Sequence, residues 1–222
     1  MNGGSWLAWD HNTYYHDRLL HALPGHCERV LDVGCGAGAF AARLATRADR
    51  VDAVDRSAAM IDAARRAVPA NVTCILADVR TAPLPAAGYD AITSISALHH
   101  MPLPEVLPRL ASALRPGGTL VAVALHRREP PRDLLFQALE VFAVFGRRAV
   151  LIWLPAARRY RREMYRRQRT GPAMPMMRPP LTLRQVRAQA VGALPGASVR
   201  RLPLWRYELF WRKPSNGGAS GW

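Results

Sequence analysis

Three carboxylates stand at the ends of short apolar runs whose composition suits β-strand: Asp32 in RVLDVG, Asp55 in RVDAVD and Asp78 in NVTCILAD. An ionised carboxylate accepts hydrogen bonds at two oxygens, so each could hold an amine, an ammonium group or a pair of hydroxyls. Between the first two lies GCGAG, where Gly34, Gly36 and Gly38 lack the Cβ that would keep a ligand away from the backbone. In open α/β sheets ligands collect where such strand ends meet. Gly34, Gly36 and Ala39 also satisfy the GxGxxG/A dinucleotide fingerprint, with Asp55 about 20 residues on as its ribose acid. Asp32 separates the two readings: a carboxylate two residues before the first glycine repels a pyrophosphate and attracts a ligand that carries a cation.

A second group could handle protons. His99 and His100 follow the run YDAITSIS, and imidazole accepts a proton near neutral pH, so either is a candidate base, with simple packing as the alternative. His11, Asn12, Tyr14, Tyr15 and His16 form a polar and aromatic set near the N-terminus. His11 and Tyr14 suit a pocket-facing role, whereas Tyr15 shares an apolar helical stripe with Leu19, Leu20 and Leu23 and reads equally as core. Met60 has the same ambiguity. Cys27, Cys35 and Cys74 fit neither a disulfide framework nor a CxxC metal site, which points to a reducing, cytoplasmic setting and to no metal.

The elements that must carry these residues alternate. Residues 12–23 read as a leading helix that Asn12 caps and Pro24-Gly25 stops. Strand, glycine loop and helix follow (RVLDVG, AFAARLAT), then RVDAVD, a helix capped by Ser57, NVTCILAD, YDAITSIS, the helix EVLPRLASAL, an RPGG turn and GTLVAVAL. Such alternation predicts a parallel sheet covered on both faces. After His126 the rhythm breaks into a longer Pro-rich and helical stretch; then TLRQVRAQAVGAL reads as a helix, and ASVRRLPL with WRYELFWRK as an antiparallel strand pair. No secretion signal is legible at the N-terminus, and the longest apolar stretch, residues 134–154, carries Glu140, Arg147 and Arg148, which excludes a transmembrane segment.

The net charge of +15 is regional. Residues 1–126 hold 11 arginines and 11 acids, while residues 127–213 hold 19 arginines and Lys213 against five acids. Seven arginines fall between Arg158 and Arg169, with Tyr160 and Tyr165 among them. Three readings rank in order: a solvated helix face, an acidic partner, and nucleic acid, which interleaved aromatics would suit. Met174, Met176 and Met177 among prolines suggest a pliable apolar lid and hence an apolar or aromatic small-molecule substrate.

VLDVGCGAGAF, VDAVDRSAAMI, ADVRTAPLP, YDAITSISALHHM and LRPGGTLV resemble, in order and at the usual separations, the successive motifs of class I S-adenosylmethionine-dependent methyltransferases. The resemblance implies a Rossmann-like α/β fold with a seven-stranded, mostly parallel sheet, the last strand antiparallel, helices on both faces and a helical insertion after the fifth strand. It implies an N-terminal lid helix over 1–27, a cofactor-binding core over 28–126, an Arg-rich insertion over 127–180, a closing helix and strand pair over 181–213, and a disordered tail over 214–222. It also implies S-adenosylmethionine as cofactor. Gly34, Gly36 and Gly38 would line its methionine and ribose, Asp32 its amino group, Asp55 the ribose hydroxyls, Asp78 the adenine amine, and Val79 and Met60 the adenine ring, with Tyr15, Arg56 and Ser96 also in contact. The expected activity is methyl transfer to an O, N or C nucleophile of a small, apolar or aromatic metabolite, with His99 or His100 as base. The rivals are an RNA methyltransferase and a cofactor-binding protein without catalysis.

Overall fold

The computed structural model describes residues 13–129, 179–203 and 205–215, with side chains from Tyr15 onward. The chain divides into two compact units, one of Met1–His11 with Arg128–Met177 and one of Asn12–Arg127 with Arg178–Trp222. The elements below all belong to the second. His11, the proposed Asn12 cap, the arginines from Arg158 to Arg169, the methionine lid, the body of the expected insertion and the end of the tail lie outside the described residues.

Seven strands form one sheet in the order β3-β2-β1-β4-β5-β7-β6. These are β1 (Cys27–Val33), β2 (Ala48–Asp55), β3 (Val72–Leu76), β4 (Tyr89–Ile95), β5 (Leu114–Leu125), β6 (Ser198–Leu202) and β7 (Arg206–Arg212). All neighbours from β3 to β5 pair in parallel, and β7 runs antiparallel to both β5 and β6. This is the architecture that the motif order implied. Because strand succession turns back at β1, the gap between β1 and β4 is the topological switch point, where the carboxyl ends of two strands diverge and leave a crevice.

One face carries α1 (Thr13–Ala22) and α2 (Ala39–Leu44). Tyr15, Leu19, Leu20 and Leu23 of α1 and its exit recur at helical spacing and are all buried, in one core with Phe40, Leu44 and Val51. The other face carries α4 (Leu103–Ala113) and α5 (Leu183–Ala193). Leu103, Val106, Leu107, Leu110 and Ala113 make an unbroken apolar stripe on α4 that packs with Ile92, Leu120, Val186 and Leu209. Starts are set locally. Ser57 Oγ accepts the Met60 N–H at 3.4 Å to open α3 (Ala58–Arg65), as expected. Thr182 and Gln185 exchange side-chain to backbone hydrogen bonds of 3.3 and 2.9 Å at the start of α5.

RPGG differs from its sequence reading. Leu114 already pairs with Tyr89, and the next pairing is Thr119 with Ala91, so residues 115–118 bulge out of a continuous β5 where a separating turn was expected. The loop folds so tightly that a Cβ on Gly118 would lie 2.8 Å from the Arg115 carbonyl oxygen. A bulge accommodates this excursion without ending the ladder.

Candidate functional site

The carboxyl ends of β1, β2 and β3 bring the three carboxylates to one edge. Asp32 sits in β1 between Ala53 of β2 and Thr93 of β4. Its Oδ1 accepts the Thr93 hydroxyl at 3.0 Å, while its Oδ2 is buried with no hydrogen-bond partner. Burial pushes its pKa up to about 7, the Thr93 hydrogen bond opposes the shift and the charge on Asp55 adds to it. A buried carboxylate with one oxygen unsatisfied is a site waiting for a donor.

Asp55 ends β2 with each oxygen anchored: Oδ2 accepts the Gly36 N–H and Oδ1 the Ser57 N–H, both at 2.9 Å. Each oxygen retains a further lone pair for a second donor. The three glycines have different physical reasons. A Cβ on Gly34 would stand 2.2 Å from the Ala97 Cβ, and one on Gly38 would stand 2.6 Å from Val68 Cγ1. A Cβ on Gly36 would meet nothing within 4 Å. All three adopt positive φ, and a side chain at Gly34 or Gly38 would meet protein, whereas one at Gly36 would enter open space. Cys35 between them is a thiol that burial pushes up from its ordinary pKa, so it remains protonated.

Asp78 follows β3 and is clasped by Arg80, whose Nε lies 3.0 Å from both carboxylate oxygens and whose Nη2 lies 2.5 Å from Oδ2. That hydrogen-bonded guanidinium holds the Asp78 carboxyl down at about 2. Burial lowers the His100 pKa and the charge of the exposed Arg56 adds to that shift, as it adds in smaller part to the Arg80 effect on Asp78. Val79 and Met60 are buried. Tyr15 is also buried, and its hydroxyl donates to the Pro203 carbonyl at 2.6 Å, which places it in the core beneath the edge. Tyr14 lies in the first turn of α1, with its side chain outside the described residues.

Beyond β4 the edge changes character. Ser96 adopts φ +56°, in the left-handed region that non-glycine residues seldom enter, and its hydroxyl accepts a hydrogen bond from Arg206 Nη1. A single 3-10 turn, Leu98–His100, then presents both histidines. Their rings stand 4.0 Å apart. His99 Nδ1 is buried without a partner, and desolvation, aided by His100 and Arg206, drives the His99 pKa down to about 4. Next to it, Leu98, Met101, Leu125, Leu181 and Tyr207 line a small apolar crevice.

Two further residues at this edge were not singled out in the sequence. His126 follows β5 directly; its Nδ1 lies 3.1 Å from the Arg127 carbonyl, and its buried Nε2 has no partner. Arg206 opens β7 opposite Leu125, buried, with its guanidinium carbon 5.4 Å from the centre of the Tyr15 ring. A rule that looks just after each parallel strand misses Arg206, because the antiparallel β7 brings its start, not its end, to the working edge. No group of three His, Cys, Asp or Glu able to hold a metal ion occurs among the described residues.

The site suits S-adenosylmethionine. The unsatisfied Asp32 oxygen matches an ammonium group, the double anchoring of Asp55 matches a pair of hydroxyls, and Gly36 leaves room beside both. Residues 30–118 match the family model of a methyltransferase domain. A methyltransferase of Mycobacterium tuberculosis is 36% identical over 209 residues, which span 93% of this chain and 98% of that protein. A ubiquinone biosynthesis O-methyltransferase of Chromobacterium violaceum is 33% identical over 134 residues, 58% of this chain and 54% of that protein. In fold, the crystal structure of an S-adenosylmethionine-dependent methyltransferase from Aquifex aeolicus superposes with a TM-score of 0.58 at 18% identity, covering 89% of this chain and 88% of that one.

Proposed function

The chain belongs to the class I S-adenosylmethionine-dependent methyltransferases, and from that premise we propose that it methylates an O, N or C nucleophile of a small apolar or aromatic metabolite. The observation that supports the acceptor class is the apolar surface beside His99, to which Leu98, Met101, Leu125 and Tyr207 contribute and where the crevice itself has room for about one water. An apolar wall with few polar groups suits a small planar body better than a polynucleotide. The relationship to the Chromobacterium violaceum O-methyltransferase, whose name places it in ubiquinone biosynthesis, supports the same reading.

Bound S-adenosylmethionine supplies a methyl group on a sulfonium, already activated for displacement. The tasks of the protein are therefore alignment and exclusion of water. Asp32 holds the amino group and is drawn into its ionised form by that partner. Asp55 orients the ribose through hydroxyls, Asp78 with Val79 and Met60 borders the adenine, and the backbone at Gly36 allows close approach. His99 is uncharged at neutral pH, so it can accept a hydrogen bond or a proton from the acceptor at Nδ1. With a pKa near 4 it is a weak base, better at orienting a nucleophile than at ionising one.

The test is incubation of the purified chain with methyl-labelled cofactor and a cell extract, followed by separation of metabolites, RNA and protein. Label should enter the metabolite fraction. Label confined to RNA would overturn the acceptor class, and binding of cofactor without any labelled product would overturn catalysis.

A further inference from the structure

We propose that Arg80 is a positioning residue that fixes the Asp78 carboxylate, so that the chain tells an adenine from a purine carrying oxygen in place of the amine. The inference rests on the adenine contact proposed for Asp78 and adds what makes that contact selective. The backbone of the loop after β3 holds without the Arg80 side chain. The Asp78 carbonyl accepts the Thr81 and Ala82 N–H groups at 3.0 and 2.8 Å, the Ala82 carbonyl accepts Arg109 Nη2 from α4 at 2.7 Å, and Val79 is buried in the core. Arg80 acts on the carboxylate instead. Its backbone N–H, Nε and Nη2 all converge on the side chain of Asp78, two residues back.

An ordinary exposed ion pair contributes little, because two long side chains must be ordered to make it. This one closes over two residues on a backbone already held, and the guanidinium grips both oxygens side-on, which adds geometry to charge. Arg80 is 42% exposed and Asp78 28%, so the guanidinium is not needed to fill the fold. A carboxylate offers about four acceptor positions. The three donors of Arg80 leave one of them open, and an exocyclic amine brings one N–H to it. Selectivity follows from the fixed position. A 6-oxo purine turns an acceptor towards the carboxylate where adenine turns a donor. A carboxylate free to change rotamer would swing aside at little cost, whereas a clasped one leaves two acceptors facing each other.

The probes are S-adenosylhomocysteine and S-inosylhomocysteine, which differ in the group at purine C6, titrated calorimetrically into the full chain. The ratio of their affinities cancels what Asp32 and Asp55 contribute to both. The unaltered chain should bind the adenosine compound at least about ten-fold tighter. Asp78→Ala should bring the ratio to about one, and Arg80→Met should lower it at least about three-fold. Arg80→Lys, whose ammonium is a point charge that cannot grip two oxygens in a plane, should lower it at least about two-fold, and it takes the place of the methionine variant should that one not fold. A ratio near one in the unaltered chain, or a ratio that Asp78→Ala lowers and the Arg80 variants leave as it was, would overturn the proposal. A ratio that survives Asp78→Ala would defeat the adenine contact of Asp78 and the proposal with it. Absence of heat from S-adenosylhomocysteine would defeat the cofactor assignment itself.

Discussion

The two ends of the same sheet treat buried polar groups in opposite ways. Around Arg29, Tyr89 and Asp90, near the starts of β1 and β4, charges satisfy one another, and Asp52 joins them from the middle of β2, one register step from Asp32 but on the other face of the sheet. The Asp52 Oδ2 accepts Arg29 Nε at 3.0 Å, Arg29 Nη2 at 2.7 Å and the Tyr89 hydroxyl at 2.7 Å. Asp90 accepts the Arg29 backbone N–H at 2.8 Å and Arg115 Nη1 at 2.7 Å, and Lys213 Nζ donates to the Ala111 and Leu114 carbonyls. At the end where β1, β4 and β5 finish, Asp32 Oδ2, His99 Nδ1 and His126 Nε2 are buried without hydrogen bonds. Arg109 Nε, on α4, is also unsatisfied and belongs to neither edge. An unmade buried hydrogen bond costs about 1–3 kcal/mol, so a fold keeps several together only where something else completes them. One edge is built for stability and the other for a ligand.

If that division holds, Asp32 and Asp52 should respond in opposite ways to the loss of their charge. Asp32→Asn should weaken S-adenosylhomocysteine binding by about a hundred-fold, which corresponds to about 2.7 kcal/mol for a buried charge-assisted contact. Its thermal stability at pH 8 should be unchanged or higher. The sign follows from linkage: the folded, ligand-free pKa of about 7 lies above the ordinary value of 3.8, so this carboxyl contributes stability only while protonated, and that contribution is lost as pH rises from about 4 to 7. The same shift gives binding its own pH dependence, because an ammonium partner requires the ionised form. Affinity should fall about ten-fold per unit as pH drops below 7, and the slope should vanish in the variant. A hundred-fold loss without the change in slope would mean that Asp32 acts by shape alone.

Much of the ligand-binding edge was legible in the sequence because it follows parallel strands, and strand ends can be read from apolar runs and the turns after them. Asp32, Asp55 and Asp78 were placed in this way, and Ser57 as a helix cap followed from the same local logic. Four things were not legible. That a side chain at Gly34 or Gly38 would strike Ala97 or Val68 was hidden, because these neighbours come from 63 and 30 residues away in sequence and only the fold brings them together. Arg206 was hidden by the reversal of β7. The clasp of Asp78 by Arg80 spans two residues, yet nothing in ADVR distinguishes a paired arginine from a solvated one. Ser96 is comparable: its positive φ has no compositional signal, since glycine is the residue that normally announces one.

The charge-satisfied cluster on the other face offers the second test. Asp52→Ala removes the acceptor of three hydrogen bonds and should destabilise the fold by about 1–3 kcal/mol, the lower part of the range applying because Arg29 can turn towards water. S-adenosylhomocysteine affinity, measured on the folded variant below its melting temperature, should be unchanged within about two-fold. A urea titration checks the first statement and calorimetry the second. If Asp52→Ala costs as much affinity as Asp32→Asn, the two edges are coupled through β1 and β2, and the division of labour fails.

The smallest effect should be the acid sensitivity contributed by His99. Its folded pKa, near 4, lies below the ordinary 6.5, so the unfolded chain takes up a proton first as pH falls. The stability tied to the neutral ring is therefore complete above pH 6.5 and lost progressively down to about pH 4. Part of the ring reaches water, which limits the loss to an order of magnitude of about 1 kcal/mol. His99→Phe fills the same apolar surroundings without a titrating group, and its stability between pH 6.5 and 4 should decline less steeply than that of the unaltered chain. Because Asp32 titrates in the opposite sense over an overlapping range, the comparison is cleanest in the Asp32→Asn background, where the remaining slope belongs to His99 and the other ordinary carboxylates. An unchanged slope after His99→Phe would show that the folded pKa of His99 is not lowered from its ordinary value, and would remove the neutral-ring contribution argued here.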